Sequence, residues 1–142
     1  ILILFGGGLA LASLIISSGL AEKLAIFLDV LSNLDLFLII LVIALFTSFM
    51  TEFTSNTATT FLLLPILSVF ANANNLDLIQ ILLPFILSAS CAFMMPISTP
   101  PNAIVYSNNS FKMNFMVKNG LVMNFTAIIT IAAYTFIFGG IE

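Results

Sequence analysis

The stretch that decides the fold is Thr51-Glu52-Phe53-Thr54-Ser55-Asn56-Thr57, a polar cluster with one carboxylate. Uncharged apolar blocks flank it, over residues 36–50 and 58–71. As helices, blocks of about 15 and 14 residues reach about 21 to 23 Å, which is short of a hydrocarbon core of about 30 Å. We therefore predict a re-entrant helical hairpin over residues 36–71 with its tip at 54–57, in preference to two full spans joined by an external loop.

The composition places most of this chain in lipid. Three of its 142 residues are Lys or Arg and six are Asp or Glu, hydrophobic residues make up 61%, and the mean hydropathy is +1.26. A soluble domain carries about a quarter charged residues. We predict an all-α, multi-pass membrane protein in contact with the lipid bilayer, without the basic footprint that nucleic acid requires. Because Cys91 is the one cysteine and the chain has no His, a disulfide within the chain and a Cys/His zinc site are excluded.

The charges, the apolar runs and the prolines predict the order of segments. These are a membrane helix over 1–21, an interfacial connection over 22–35, the hairpin over 36–71, a broken membrane helix over 78–106, a cytoplasmic loop over 107–119 and a last membrane helix over 121–138. The loop is assigned to the cytoplasm because it carries Lys112 and Lys118. Since the chain starts within an apolar run and without an initiator Met, we expect it to be part of a longer protein.

Two of these segments carry further local signals. Pro96, Pro100 and Pro101 cannot all lie in one continuous helix, so the break is predicted at 98–102. The triplet Gly6-Gly7-Gly8 is expected to let another helix approach closely, and the competing interpretation is a flexible interruption.

The hairpin tip and the break together predict a binding site. Helix interruptions in the middle of a membrane are the usual position of transporter sites, because helix N-termini attract anions and unwound carbonyls can bind Na⁺. Between Lys23 and Lys112 the sequence has no Lys or Arg. A bound dianion would therefore need Na⁺ and helix dipoles as counter-charge, since two unit charges about 4 Å apart interact by about 4 kcal/mol at an intermediate dielectric. An Arg supplied from an upstream segment would remove this requirement.

At these residues the sequence resembles the divalent anion/sodium symporter family, which includes sodium-coupled dicarboxylate and citrate carriers. The tip sequence, with Leu64-Pro65 after it, looks like the family's second Ser-Asn-Thr hairpin. Residues 90–96, leading into Thr99-Pro100-Pro101-Asn102, are similar to its broken penultimate helix, and residues 5–12 match the helix before the hairpin. The three motifs occur in the right order and cover nearly the whole chain.

The resemblance implies the second inverted repeat of an elevator-type transporter, usually a homodimer, and it assigns two sets of ligands. The Na⁺ ligands would be Thr51, Thr54, Asn56 and the backbone carbonyl of Ser98. The substrate carboxylates would meet Ser55, Asn56 and Thr57, with Thr99 and Pro100 shaping the pocket.

We therefore expect secondary active transport of small dicarboxylates such as succinate, malate or fumarate in a bacterial inner (plasma) membrane. Na⁺ would be the co-transported ion, and no organic cofactor is expected. The alternatives are an anion exchanger, a sulfate, citrate or arsenite carrier of the same superfamily, and a structural membrane subunit. An enzyme is not expected, because Ser55 has no His, Lys or Asp partner at a usable spacing. For Glu52 we favour a structural brace over a protonated or proton-coupling group, because an isolated charge in a membrane is costly unless it is paired.

Overall fold

The computed structural model describes residues 2–108 and 112–139, and within these ranges the regular structure is entirely helical. In chain order the elements are α1 (Leu2–Ser17), α2 (Leu20–Leu28), a 3-10 helix (Asp29–Asn33), α3 (Leu36–Thr51), α4 (Asn56–Ala73), α5 (Leu78–Ala89), α6 (Pro100–Ser107) and α7 (Met113–Phe138).

The first predicted span bends sharply near its end. Gly19 adopts a left-handed conformation with φ of 69°, which glycine tolerates at little cost, and so α1 ends at Ser17. The axes of the helical stretches Phe5–Ser17 and Leu20–Asn33 meet at a bend of 76°. The segment predicted as an interfacial connection is thus largely helical, and α2 packs against α4 with Ala25 buried between them.

In the triplet Gly6-Gly7-Gly8, one residue packs closely against another helix. A Cβ on Gly8 would lie 2.5 Å from Cε2 of Phe61 in α4, whereas a Cβ on Gly6 or Gly7 would meet nothing within 4 Å. The ring of Phe61 also makes an edge-to-face contact with Phe5, at 6.1 Å between centroids. The predicted close approach of a second helix is confirmed at Gly8.

The two arms of the hairpin pack mainly against other helices. Helix α3 contacts α5 and α7, whereas α4 contacts α1, α2 and α5. Ring contacts of Phe37 with Phe136 and of Phe49 with Phe125 show that α3 and α7 run antiparallel. The core between α3, α4 and α5 is aliphatic and aromatic, and its largest side chains are Phe70 and Phe85.

The second arm is longer than its apolar block suggested. Helix α4 begins at Asn56, because the Ser55 hydroxyl caps it by accepting from the Ala58 N–H at 3.1 Å, and it continues to Ala73. With 18 residues it is about 27 Å long, against about 24 Å for the 16 residues of α3. The turn occupies residues 52–55, slightly before the predicted tip at 54–57. The argument that the arms are too short to cross a hydrocarbon core of about 30 Å therefore applies to α3 and only marginally to α4.

The break in the next helix is earlier and longer than the predicted 98–102. Helix α5 ends at Ala89, residues 90–99 are non-helical, and α6 starts at Pro100. Pro100 and Pro101 take the first helical positions, where the absence of an N–H costs nothing, and they define the end of the break rather than its centre. Polar side chains of other helices hold the preceding ten residues unwound, as described below.

The predicted cytoplasmic loop at 107–119 is shorter in the structure. Helix α7 starts at Met113, so the last helix gains a further two turns at its N-terminus relative to the predicted 121–138. Residues 109–111 and 140–142 lie outside the described residues.

The apolar surface is extensive. By length and composition α4 and α7 can each cross a membrane, and within residues 2–108 and 112–139 the bent α1–α2 pair brings the number of such spans to three if it counts as one. Large hydrophobic side chains are widely exposed, including Ile3 at 91% and Ile97 at 82%. A surface of this kind requires lipid or further protein around it.

Candidate functional site

The hairpin turn brings two neutral oxygens together. Thr51, the last residue of α3, and Asn56, the first residue of α4, place Oγ1 and Oδ1 2.6 Å apart. The Thr51 hydroxyl also lies 3.0 Å from the carbonyl oxygen of Ala89 at the end of α5. A hydroxyl has one proton, so it can donate to only one of these acceptors at a time. Thr51 and Asn56, both predicted as site residues, are thus in direct contact through their side chains.

The remaining tip residues point their polar groups at the ends of the two arms. The Thr54 hydroxyl donates to the Met50 carbonyl at 3.0 Å and lies 2.5 Å from the hydroxyl of Thr59. The cap made by Ser55 uses a lone pair of its hydroxyl and leaves the proton of that hydroxyl for another acceptor. Ser55 is exposed and Thr57 is half-buried. The exposed hydroxyl of Ser55 at the N-terminus of α4 is thus able to donate to a further group, whereas the Thr54 hydroxyl is engaged within the hairpin.

Glu52 fastens the turn to the unwound segment. Its side chain is 1% exposed, and its carboxylate accepts four hydrogen bonds. The donors are the N–H of Met94 (2.9 Å), the N–H of Met95 (2.9 Å), the hydroxyl of Ser98 (2.6 Å) and Nδ2 of Asn124 in α7 (2.7 Å). Because backbone N–H groups can only donate, both carboxylate oxygens act as acceptors. This pattern is that of a brace, the interpretation of Glu52 favoured from the sequence.

Other side chains satisfy several of the carbonyls that the unwinding releases. Ser48 of α3 donates to the Cys91 carbonyl at 2.8 Å. Asn102 of α6 donates to the carbonyls of Ala92 and Met95, at 3.0 and 3.1 Å. Backbone polar groups buried in lipid must find partners inside the protein. The segment 90–99 is therefore held open by specific contacts with three neighbouring helices.

The predicted residues of the break lie next to this brace. Ser98 reaches Glu52 through its hydroxyl, which also lies 2.8 Å from the Met95 carbonyl. Thr99 precedes α6 as its N-cap residue without a side-chain capping bond, and Pro100 is the exposed first residue of the helix. Within residues 2–108 and 112–139, no hydrogen bond joins Thr99 to the tip residues. The structure thus joins Thr51 directly to Asn56 and joins the turn to Ser98 through Glu52.

Sequence reasoning did not find Asn124 and Ser48 as members of this network. Asn124 is fully buried in the middle of the apolar helix α7, and Ser48 is fully buried in α3. A polar side chain inside an apolar membrane helix is a signal for a buried partner, but it does not say which residue that partner is.

The donor set resembles a site for an alkali cation more than one for a transition metal. In the part of the chain that the structure describes, no group of three or more His, Cys, Asp or Glu side chains could hold a metal ion. Apart from the Glu52 carboxylate, which is taken up by its four donors, the polar groups around the tip are hydroxyl, amide and backbone carbonyl oxygens, which are hard neutral ligands.

Comparison with known proteins shows the family of the chain. The family model described as the sodium:sulfate symporter transmembrane region matches residues 1–141. The chain is 43% identical over 131 residues to a sodium-dependent dicarboxylate transporter of Staphylococcus saprophyticus, covering 92% of this chain and 25% of that protein. It is 42% identical over 131 residues to the Na(+)/citrate cotransporter of Rattus norvegicus, covering 92% of this chain and 23% of the relative.

A third relative extends the coverage slightly. Solute carrier family 13 member 1 of Mus musculus is 43% identical over 139 residues, which is 96% of this chain and 23% of that protein. The chain thus spans about a quarter of the length of these curated relatives. The match over 1–141 confirms the resemblance drawn from the motifs, and the apolar helices agree with it: this chain is an all-α integral membrane protein and belongs to the sodium:sulfate symporter family.

Proposed function

We propose that this chain supplies one half of the binding site of a carrier that couples the uptake of small dicarboxylates, such as succinate, malate or fumarate, to Na⁺. The observation that carries the proposal is the attachment of the hairpin turn to the unwound segment by Glu52, with the oxygens of Thr51 and Asn56 meeting beside it. Two interrupted helices fastened together at their breaks form the arrangement from which transporter sites are built.

For the ion, the proposed ligands are oxygens of Thr51, Thr54, Asn56 and Ser98. The Thr51 and Asn56 side chains already converge. In the described residues, the carbonyls of Cys91 and Ala92 accept hydrogen bonds, whereas none is directed to the carbonyl of Ser98. A carbonyl without such a bond can turn its lone pairs to a cation.

For the substrate, the proposed contacts lie at the N-termini of α4 and α6. Ser55, Asn56 and Thr57 open α4, and Thr99 and Pro100 open α6. The unpaired backbone N–H groups at the start of α4 and the partial positive charge at the N-terminus of each helix attract carboxylates, whereas Pro100 and Pro101 have no N–H to donate. The sequence from residue 24 to 111 has no Lys or Arg, so Na⁺ bound nearby would supply the remaining counter-charge.

Several features of the whole carrier belong to the same proposal. We place residues 36–71 as a re-entrant hairpin, with α3, about 24 Å long, too short to cross a core of about 30 Å. The bonds between α3, residues 90–99 and α7 favour their movement as one rigid body, as an elevator mechanism requires. A homodimer in a bacterial inner membrane, with this chain as the second of two inverted repeats, completes the proposal.

A carrier for citrate or sulfate is the second candidate. It is favoured by the family description, which names sulfate, and by a relative named for citrate at 42% identity. An exchanger built on the same hairpins would use the same tip residues. Competition of unlabelled citrate, sulfate and succinate against one another distinguishes these substrates.

The test is uptake of labelled succinate by the full-length protein in proteoliposomes, with an inward gradient of Na⁺ or of K⁺. We expect uptake with Na⁺ only. The variant Asn56→Ala should abolish it, whereas Asn119→Ala, an exposed position in α7 that bonds only its own helix, should retain it. Equal uptake in both gradients would refute coupling to Na⁺, and full activity of Asn56→Ala would refute the assignment of the site.

A further inference from the structure

The last helix touches the unwound segment through a backbone contact. Gly120 of α7 is buried, and a Cβ built on it would lie 2.6 Å from the Cα of Met94 and from the carbonyl carbon of Phe93, and closer still to the Phe93 oxygen. These are backbone atoms, which cannot move aside as a flexible side chain can. Glycine at residue 120 is therefore what allows α7 to lie directly against the break.

One turn further along α7, Asn124 contacts the same segment. Residues four apart lie on the same helix face, so Asn124 follows Gly120 toward the break. Its Oδ1 accepts from the Phe93 N–H at 3.3 Å, and its Nδ2 donates to Glu52 at 2.7 Å. Because the Phe93 N–H can only donate, the orientation of the carboxamide is fixed by its two partners. The side chain is fully buried and bridges the hairpin turn and the break.

From these contacts we infer that Asn124 and Gly120 are positioning residues, which set the conformation of residues 90–99 and thereby the affinity of the adjacent site for Na⁺. The inference rests on the proposed function and adds to it a role for the last helix, which contributes no proposed ligand. Removal of the Asn124 carboxamide takes one of four donors from Glu52 and leaves the Phe93 N–H without its partner. The segment that presents the Ser98 carbonyl then loses part of its support.

The experiment separates this role from a general contribution to stability. Na⁺ that binds the folded protein raises its melting temperature, and the Na⁺ concentration that gives half of this rise reports the affinity. This half-saturating Na⁺ concentration is to be measured for the purified full-length protein and for its Asn124→Ala variant. The Na⁺ dependence of succinate uptake is to be measured in parallel. We expect Asn124→Ala to need on the order of tenfold more Na⁺ in both assays, as for the loss of one hydrogen bond to a charged group. The control Asn119→Ala, on the exposed face of α7, should match the wild type.

The outcomes are distinct. A lower melting temperature of Asn124→Ala without Na⁺, combined with an unchanged half-saturating Na⁺ concentration, would show a merely structural role and overturn the inference. A wild type that neither binds Na⁺ nor depends on it would overturn the proposed function, and this inference with it. If Asn124→Ala does not reach the membrane, Asn124→Ser carries the same test, because its side chain is too short to bridge Glu52 and Phe93. Gly120→Ala should weaken Na⁺ binding in the same direction.

Discussion

Replacing Glu52 with glutamine removes one charge and keeps the shape of the side chain. The carboxylate accepts from the N–H groups of Met94 and Met95, from the Ser98 hydroxyl and from the Asn124 amide. A glutamine amide has one acceptor oxygen and one NH₂ donor group. In the better of the two orientations of the glutamine amide, its oxygen still accepts from the Met94 N–H and from Nδ2 of Asn124. Its NH₂ group then faces the Met95 N–H and the Ser98 hydroxyl.

The loss of stability depends on whether the Ser98 hydroxyl and the Met95 N–H can adapt to the new NH₂ group. The Ser98 hydroxyl can turn and accept from the new NH₂ group, but the backbone N–H of Met95 can only donate. One buried N–H is left without an acceptor, which costs about 1–3 kcal/mol. The remaining bonds also lose the charge assistance that makes a bond to a carboxylate roughly twice as strong as a neutral one. We expect Glu52→Gln to destabilise the folded protein by about 2–4 kcal/mol in total.

The assay is the melting temperature of the purified full-length protein in detergent, with the proposed Na⁺-coupled uptake of succinate as a second readout. Glu52→Gln should melt several degrees lower and lose uptake. The matched control is Glu22→Gln, an exposed carboxylate in α2, for which we expect a change within about 0.5 kcal/mol. If Glu52→Gln retained wild-type stability and uptake, a neutral amide would be an adequate substitute. Glu52 would then be a protonated acid, and the argument for an ionised brace would be wrong.

Three further substitutions, with Gly7→Ala as a control, test the packing and the helix cap by melting temperature. Gly8→Val should destabilise by about 1–3 kcal/mol because its side chain meets the ring of Phe61, whereas Gly7→Ala, with open space around it, should be nearly neutral. Ser55→Ala should cost about 1 kcal/mol through the lost N-cap of α4, and a loss of uptake larger than this would indicate contact with substrate. Phe85→Ala should cost about 3–5 kcal/mol because the side chain is fully buried between α3 and α5, and a smaller loss would mean that the core collapses around it.

The sequence predicted those features that local chemistry determines. Uncharged apolar runs marked the helices, and the prolines marked a break in the helix because proline is not accepted in a helix interior. The predicted bounds of 98–102 placed Pro100 and Pro101 inside the break, whereas in the structure they start α6. The polar stretch at residues 51–57 marked the turn between two helices. These signals depend on neighbouring residues in the chain and need no tertiary contact.

The start of the break could not be predicted in this way. Residues 90–97 include only one proline, and they are unwound because side chains elsewhere in the chain bond to their backbone. Ser48 of α3 bonds to Cys91, and Glu52 of the hairpin turn bonds to Met94 and Met95. Glu52 and its partner Asn124 are 72 positions apart. A single sequence shows that both residues are polar and lie next to apolar runs, but only the packing of α3 against α7 shows that they meet.

The geometry of the unwound segment also explains why the brace is a carboxylate. Two successive N–H groups, of Met94 and Met95, point to the same place, and such pairs form a concave site for an anion. A carboxylate supplies two acceptor oxygens to such a pair, whereas any neutral side chain supplies one. The protein's own Glu52 thus occupies these donors, and the proposed dicarboxylate has to take its hydrogen bonds elsewhere. At the start of α4 the backbone N–H groups of Asn56 and Thr57 have no helical partner and can donate to a carboxylate. Helix α6 begins with Pro100 and Pro101, which have no N–H, so its start offers the Thr99 hydroxyl and the helix dipole, and these are the proposed substrate contacts.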